Sequence, residues 1–369
     1  MGKIGMKWMI CALLLHAGIM SNVHGQLAST DFIYGGVEDA EKILQAYLEP
    51  FANVLGSDLN AGWYNTARPH ELGGLDLTFT VSMSRAPSSM LTYDALTLGL
   101  NGEVISDNGS LAPTVTGDMD ERPSISYSQT VEGIPGSIEY ARFELPNGSG
   151  VDYFPLPMAQ LSVGLPLGTD VSVRFVPMIQ LAKYGQIGLW GVGGKHSLSQ
   201  WIPVLKELEF LEISAQGGYT AVNASVNVDV EPLEEVGGIP VYDPTPDYNW
   251  HDQFVDQAVR GWTTNLIASQ TFSVLTVYEG IGYASSEVEM AMRGHYPVHT
   301  IVDETGGELD PGTITYEIAQ DPISMKFRNI NNVRWNIGLR LKLAFLTLHY
   351  DFTYTLYATH SAGIGVTFR

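Results

Sequence analysis

Cysteine is all but missing. The chain of 369 residues holds one, Cys11, near its start. Basic residues are also scarce: 19 Lys and Arg face 40 Asp and Glu, for a net charge of -21. No basic stripe is available to neutralise phosphates, which excludes general nucleic-acid binding. After residue 25 no run of eighteen apolar residues occurs, so no transmembrane helix is written into the chain. Gly-x-Ser-x-Gly and His-Glu-x-x-His are both missing, and with them the plainest signatures of a serine hydrolase or a zinc peptidase.

The N-terminus, MGKIGMKWMICALLLHAGIMSNVHGQ, reads as a secretory leader over residues 1–25. Lys3 and Lys7 precede a short apolar core, and Val23-His24-Gly25 supplies small residues for cleavage before Gln26. Removing two Lys and no acid takes the charge to -21 - 2 = -23. Cys11 lies inside the leader, and Met9-Ile10 is not the small-residue run of a lipoprotein signal. The mature chain then has no thiol, and an exported protein without disulfides points to a bacterium.

Residues 36–56 carry the clearest helical period. Ala40, Ile43, Leu44, Tyr47, Leu48, Phe51 and Leu55 share one stripe, and Glu38, Asp39 and Glu41 sit where acids favour a helix start. Pro50 predicts a bend and Gly56 an end. A second short helix is expected at 197–208.

From Leu75 the period becomes two. LDLTFTVSMSR sets Leu75, Leu77, Phe79, Val81 and Met83 against Asp76, Thr78, Thr80, Ser82 and Ser84. VRWNIGLRLKLAF and LTLHYDFTYTLY alternate over more than ten residues, with a parity flip at Phe345-Leu346 that predicts a tight turn or bulge. Membrane-crossing strands need about 9–11 residues, against about 5–6 in a typical globular strand. The alternation therefore predicts an all-β fold: an antiparallel transmembrane β-barrel of about 12–14 strands with an N-terminal amphipathic helical segment. Residues 26–72 form the plug or periplasmic segment and 73–369 the barrel, in the bacterial outer membrane. Stretches 101–136 and 229–262 are too long for hairpin turns and carry exposed loops or small elements.

DAEKILQAYLEPFANVLGSDLNAGWYNTARP, PMAQLSVGLPLGTDVSVRFVP, GLWGVGGKHSLSQWIP and the ending LHYDFTYTLY…AGIGVTFR together resemble a Bacteroidota family of exported proteins of unknown function. That family is similar in turn to the long-chain fatty-acid transporters of the outer membrane, whose N-terminal segment plugs the barrel. The resemblance implies a plug here. Asn65-Thr66-Ala67 lacks the proline of the transporters' Asn-Pro-Ala turn, and Arg369 follows Phe368 where such barrels end on an aromatic residue. No substrate-binding residue is carried over.

Candidate site residues follow from the two faces. Ile43, Leu44, Tyr47, Leu48 and Phe51 form the candidate plug face. Arg174, Glu287, Arg293, Arg334, Arg340, Lys342 and Asp351 are the candidate lumen charges, with Asp351 the expected partner of the basic strand at 334–342. GVGGKHS, 191–197, fails as a phosphate loop: Leu189 stands where the first glycine belongs, and His196 follows Lys195. HYPVH, 295–299, spaces two histidines four apart, but Pro297 opposes the helix that would pair them. Asp243, Asp247, Asp252 and Asp256 match no calcium loop. His349 or His360 could meet a strand serine, and nothing in the sequence argues for it. The reading is a non-enzymatic barrel without cofactor or metal. Its expected partners are membrane lipid, the barrel-assembly machinery and a small hydrophobic ligand that it transports passively. A structural or ligand-binding surface barrel acting through its loops is the alternative, and a lipid-acting barrel hydrolase the second.

Overall fold

The structure is a computed structural model that describes residues 31–180, 185–208, 210–302 and 309–368. The leader expected at 1–25, with Cys11, lies outside them. Ten antiparallel strands close into one barrel. In chain order they are β1 (Leu75–Arg85), β2 (Tyr153–Leu165), β3 (Thr169–Gln180), β4 (Gly185–Ser197), β5 (Leu211–Asn227), β6 (Phe254–Phe272), β7 (Leu275–Arg293), β8 (Ile323–Leu343), β9 (Leu346–Tyr354) and β10 (Thr359–Phe368). Each pairs with its neighbours in sequence, and β1 closes on β10 through the register Leu75↔Phe368 to Ser84↔Thr359. Through the near half every strand is paired on both sides, a requirement for a sheet in lipid.

The count is ten rather than the expected 12–14, for two reasons. Several strand-like segments pair outside the wall: 103–105, 124–130 and 137–144 form a three-stranded sheet, and 295–301 pairs with 314–320. The wall strands are also long, 19 residues in β6 and β7 and 21 in β8.

The two ends differ. At the near end, where β1 begins and β10 finishes, β2–β3, β6–β7 and β8–β9 join by tight turns with Leu167, Ser273 and Ala344 at positive φ. The last of these is the turn that the parity flip at Phe345-Leu346 predicts. At the far end the long inserts build the small sheets, here called the cap.

In the near half the oily face of each strand points out. On β9, Thr347, His349, Asp351 and Thr353 are buried while Leu348, Tyr350 and Tyr354 are exposed. A soluble sandwich would bury the opposite set. Leu77, Leu161, Val173, Val192, Leu266, Ile281, Ile337 and Ile364 continue the band around the barrel. Directly paired aromatics top it: Phe175↔Trp190, Tyr219↔Trp262 and Trp335↔Tyr354. From Val333 to Leu343 the band spans about 33 Å along the strand, or about 25 Å along the normal at a tilt of roughly 40°, the height of a lipid-facing belt.

In the far half the polarity inverts. On β7 the inward residues change from Thr276, Tyr278 and Gly280 to Val288, Met290 and Met292, all buried, while Glu287, Glu289 and Arg293 point outward. On β8 the inward Arg334, Asn336 and Arg340 give way to Ile323, Met325 and Phe327 beyond a bulge where Ala284↔Asn332 and Ser286↔Asn329 break register. Lys326 bridges Glu287 and Glu289 on the outside, and Arg260 reaches Glu289. This half is wet outside and oily inside.

One helix, α1 (Val37–Asn60), fills the oily half. It runs unbroken through Pro50 and Gly56, past the expected end. Gly56 is a close approach rather than a stop: a Cβ there would lie 2.9 Å from Ser286 Cβ. Packing against the wall outweighs the proline's missing donor. The expected helix at 197–208 shrinks to two short turns, Ser199–Trp201 and Pro203–Lys206.

Candidate functional site

The lumen is the candidate site, and the N-terminal segment occupies it. Ile43, Leu44, Tyr47, Leu48 and Phe51 are all buried, packed with Phe154, Leu156, Met158, Leu189, Val222, Val259, Val288, Met290, Met325 and Phe327 of the wall. The Phe51 and Phe154 rings meet edge to face at 4.8 Å. Three of these wall residues are methionines, whose unbranched side chains fit irregular gaps.

The two ends of α1 are fixed by buried charge. Near its start the Asp39 carboxylate accepts hydrogen bonds from the backbone amides of Asn101 and Gly102, at 2.7 and 3.0 Å, and from the Tyr127 hydroxyl. These groups belong to the cap. At its end two arginines from different walls donate to carbonyls that a helix leaves unpaired. Arg174 on β3 reaches the Leu59 carbonyl at 3.2 Å and the Ala61 carbonyl at 2.8 Å. Arg334 on β8 reaches the Asn60 carbonyl. The helix dipole is negative here, so both charges sit on the favourable end. Arg174 also stacks on Trp63, 3.7 Å from the ring centre.

After Asn60 the chain continues toward the near end through the polar half. Trp63 covers Gly193 and Gly218, where a Cβ would fall 2.6 and 2.4 Å from its ring. The glycine run at 191–194 is thus a docking face for Trp63. His70 then meets Asp170: its backbone amide donates at 2.8 Å and Nδ1 lies 3.0 Å from the carboxylate. Lys195 bridges Asp170 at 3.1 Å and holds the Thr66 and Arg68 carbonyls. Gly73 and Gly74 exchange backbone hydrogen bonds with Gly164, and β1 begins. A cavity of about 30 Å³ remains beside Trp63, Gln216, Asp76 and His349, room for about two waters. Trp63 Nε1, Gln216 Nε2 and His349 Nδ1 make no hydrogen bond among the described residues.

The candidate lumen charges divide. Arg174, Arg334, Arg340 and Asp351 are buried in the lumen. Lys342 is exposed at the near rim. Glu287 and Arg293 stand on the outer face, contrary to expectation, because α1 makes the far lumen apolar and leaves the outside to charge. The expected Arg340–Asp351 pair is also corrected. The two share the lumen, but Arg340 lies 3.7 Å from Asp76 on β1, and Asp351 accepts from Asn336 and Tyr278 at 2.9 and 3.2 Å. The expectation omitted Asp39, His70, Asp76, Asp170 and Lys195. Asp76 was legible, since it shares the polar face of β1 with Thr78 and Thr80.

The motifs set aside find ordinary places. His295 pairs with Asp252 at 2.6 Å, and His299 is buried against Tyr34 and Tyr316. His349 lies 3.3 Å from Thr80 Oγ1, and His360 accompanies Tyr350 on the outer face.

Among solved structures the chain is similar to the translocator domain of the autotransporter NalP from Neisseria meningitidis, at 9% identity over 81% of this chain and 90% of that one, with a TM-score of 0.29. It is also similar to the Pseudomonas putida toluene transporter TodX, at 7% identity over 87% and 96%, with a TM-score of 0.14. No curated protein matches. Residues 1–368 match the model of the Family of unknown function (DUF6588), and the chain belongs to that family.

Proposed function

We propose that the protein is an outer-membrane barrel, shut by its own N-terminal segment, that acts at the cell surface through its cap. The observation that carries this reading is the fixing of α1 at both ends within a filled lumen. Freeing it would expose Ile43, Leu44, Tyr47, Leu48, Phe51 and Leu55, each worth about 1.5–3 kcal/mol in burial, and would leave Arg174 and Arg334 without their carbonyls. Passive opening does not meet that cost. Tight turns lie on the periplasmic side of such barrels and long loops outside, which puts the cap on the surface. Labelling tests the side. A cysteine at Asn108 in the cap should react with an impermeant maleimide on intact cells, and one at Ser273 in the β6–β7 turn only after the outer membrane is opened. The reverse pattern would reject the reading.

A second reading, gated passage of small hydrophobic molecules, draws support from the methionine-lined far lumen, an apolar and adaptable surface where barrel interiors are ordinarily polar. With no cysteine after Cys11, an Asp58→Cys, Ser84→Cys disulfide, at positions whose side chains meet at 2.6 Å, can lock α1 to β1 without competing thiols. Passage would require that oxidation abolish uptake; the surface reading expects no change.

A further inference from the structure

The β4–β5 connection at the near end differs from the tight turns beside it. Residues 198–208, with Phe210, form a lobe with an oily outer surface. Trp201 is 64% exposed, Ile202 43%, Val204 71% and Phe210 49%, and Leu167 of the adjacent turn is 68% exposed. The lobe is built rather than loose. Gln200 donates to the Leu167 carbonyl at 2.7 Å and the Ser197 carbonyl at 2.9 Å. Trp201 Nε1 donates to His196 Nε2 at 3.0 Å, and the Thr271 amide donates to the Phe210 carbonyl at 3.1 Å. These bonds hold the lobe against the lower edge of β3, β4, β5 and β6, where the lipid-facing band ends.

We infer that residues 198–208 and Phe210, with Leu167, form a foot that dips into the interfacial region of the periplasmic leaflet and seats the barrel on phospholipid. The inference rests on the membrane reading of the belt. The patch is continuous with that belt: His196, which holds Trp201, lies on the outward face of β4 below Trp190 and Val192. So many large apolar side chains in one patch mark an interaction surface rather than a solvated loop. Tryptophan favours the lipid interface, where an apolar ring and a polar N–H are both satisfied. The near-end turns at 273–274 and 344–345 have two residues each and build no lobe, which makes the seat one-sided.

Spin labels test this in full-length protein reconstituted in phospholipid bilayers. Labels go on single cysteines at Val204, Ile202, Leu348 in the belt and Asn108 in the cap, all exposed positions. Relaxation by dissolved oxygen reports lipid, and relaxation by an aqueous nickel chelate reports water. The foot predicts that 204 and 202 follow 348, with oxygen the stronger relaxer. If they follow 108 while 348 stays lipid-like, the foot is wrong and the belt stands. If 348 also follows 108, the belt itself fails and the foot with it. Protection of 204 and 202 from both reagents would show a protein partner on the patch and would equally overturn the lipid assignment.

Discussion

Arg174 has no carboxylate within ion-pair distance among the described residues; its partners are carbonyls, Gln160, the Met158 sulfur and an indole ring. A buried cation is ordinarily costly, and here the C-terminal end of α1 supplies the compensation. Arg174→Met keeps the bulk and leaves the Leu59 and Ala61 carbonyls unpaired, at about 1–3 kcal/mol each. Chemical denaturation in detergent should show a loss of roughly 2–5 kcal/mol; an unchanged midpoint would remove the anchor role. The sequence indicated that Arg174 faces the lumen, through its alternation with Val173 and Phe175. It could not indicate the partner, which lies 115 residues away. His299 makes a separate prediction. Burial alone drops its pKa to about 4, against about 6.5 unfolded. Its folded form refuses a proton that the unfolded form accepts, so its stabilising contribution is present above about pH 6.5. It is lost as pH falls toward 4, by up to about 3 kcal/mol. Hydrogen-exchange protection of 295–301 and 314–320, corrected for the intrinsic rate at each pH, should fall across that window, and His299→Phe should flatten the dependence.

At the scale of elements, a strand's two faces change meaning along its length. Leu348 on β9 and Ser324 on β8 both point outward, and only Leu348 lies in the belt. Leu348→Arg should cost roughly 2–4 kcal/mol in assembly measured by folding into vesicles. Ser324→Arg should cost almost nothing, because its half stands in water beside Lys326. Equal costs would contradict the inversion. Here the sequence was partly readable. SEVEMAMRG alternates cleanly, and the alternation alone cannot say whether Val288, Met290 and Met292 face lipid or a helix inside the barrel. The answer depends on α1, whose stripe was legible at Ile43, Leu44, Tyr47, Leu48 and Phe51 but whose depth was not. Gly56 looked like an end because close packing against Ser286 leaves no local mark.

At the scale of the molecule, the barrel is a membrane-crossing cylinder below and a water-standing sleeve around a helix above, with the N-terminal segment threading both. The 3.6-residue and 2-residue periods gave away the classes of element. The strand count of ten did not follow from them, because long strands and cap strands share the same period. The account stands on the lumen being shut by residues 38–60, and conductance in planar bilayers tests that most directly. The intact chain should show no open-channel steps above leak. A deletion of residues 38–72 that still assembles should conduct, since it clears both halves of the lumen and the wall folds from its own strands. Stable open-channel currents from the intact protein would contradict the account.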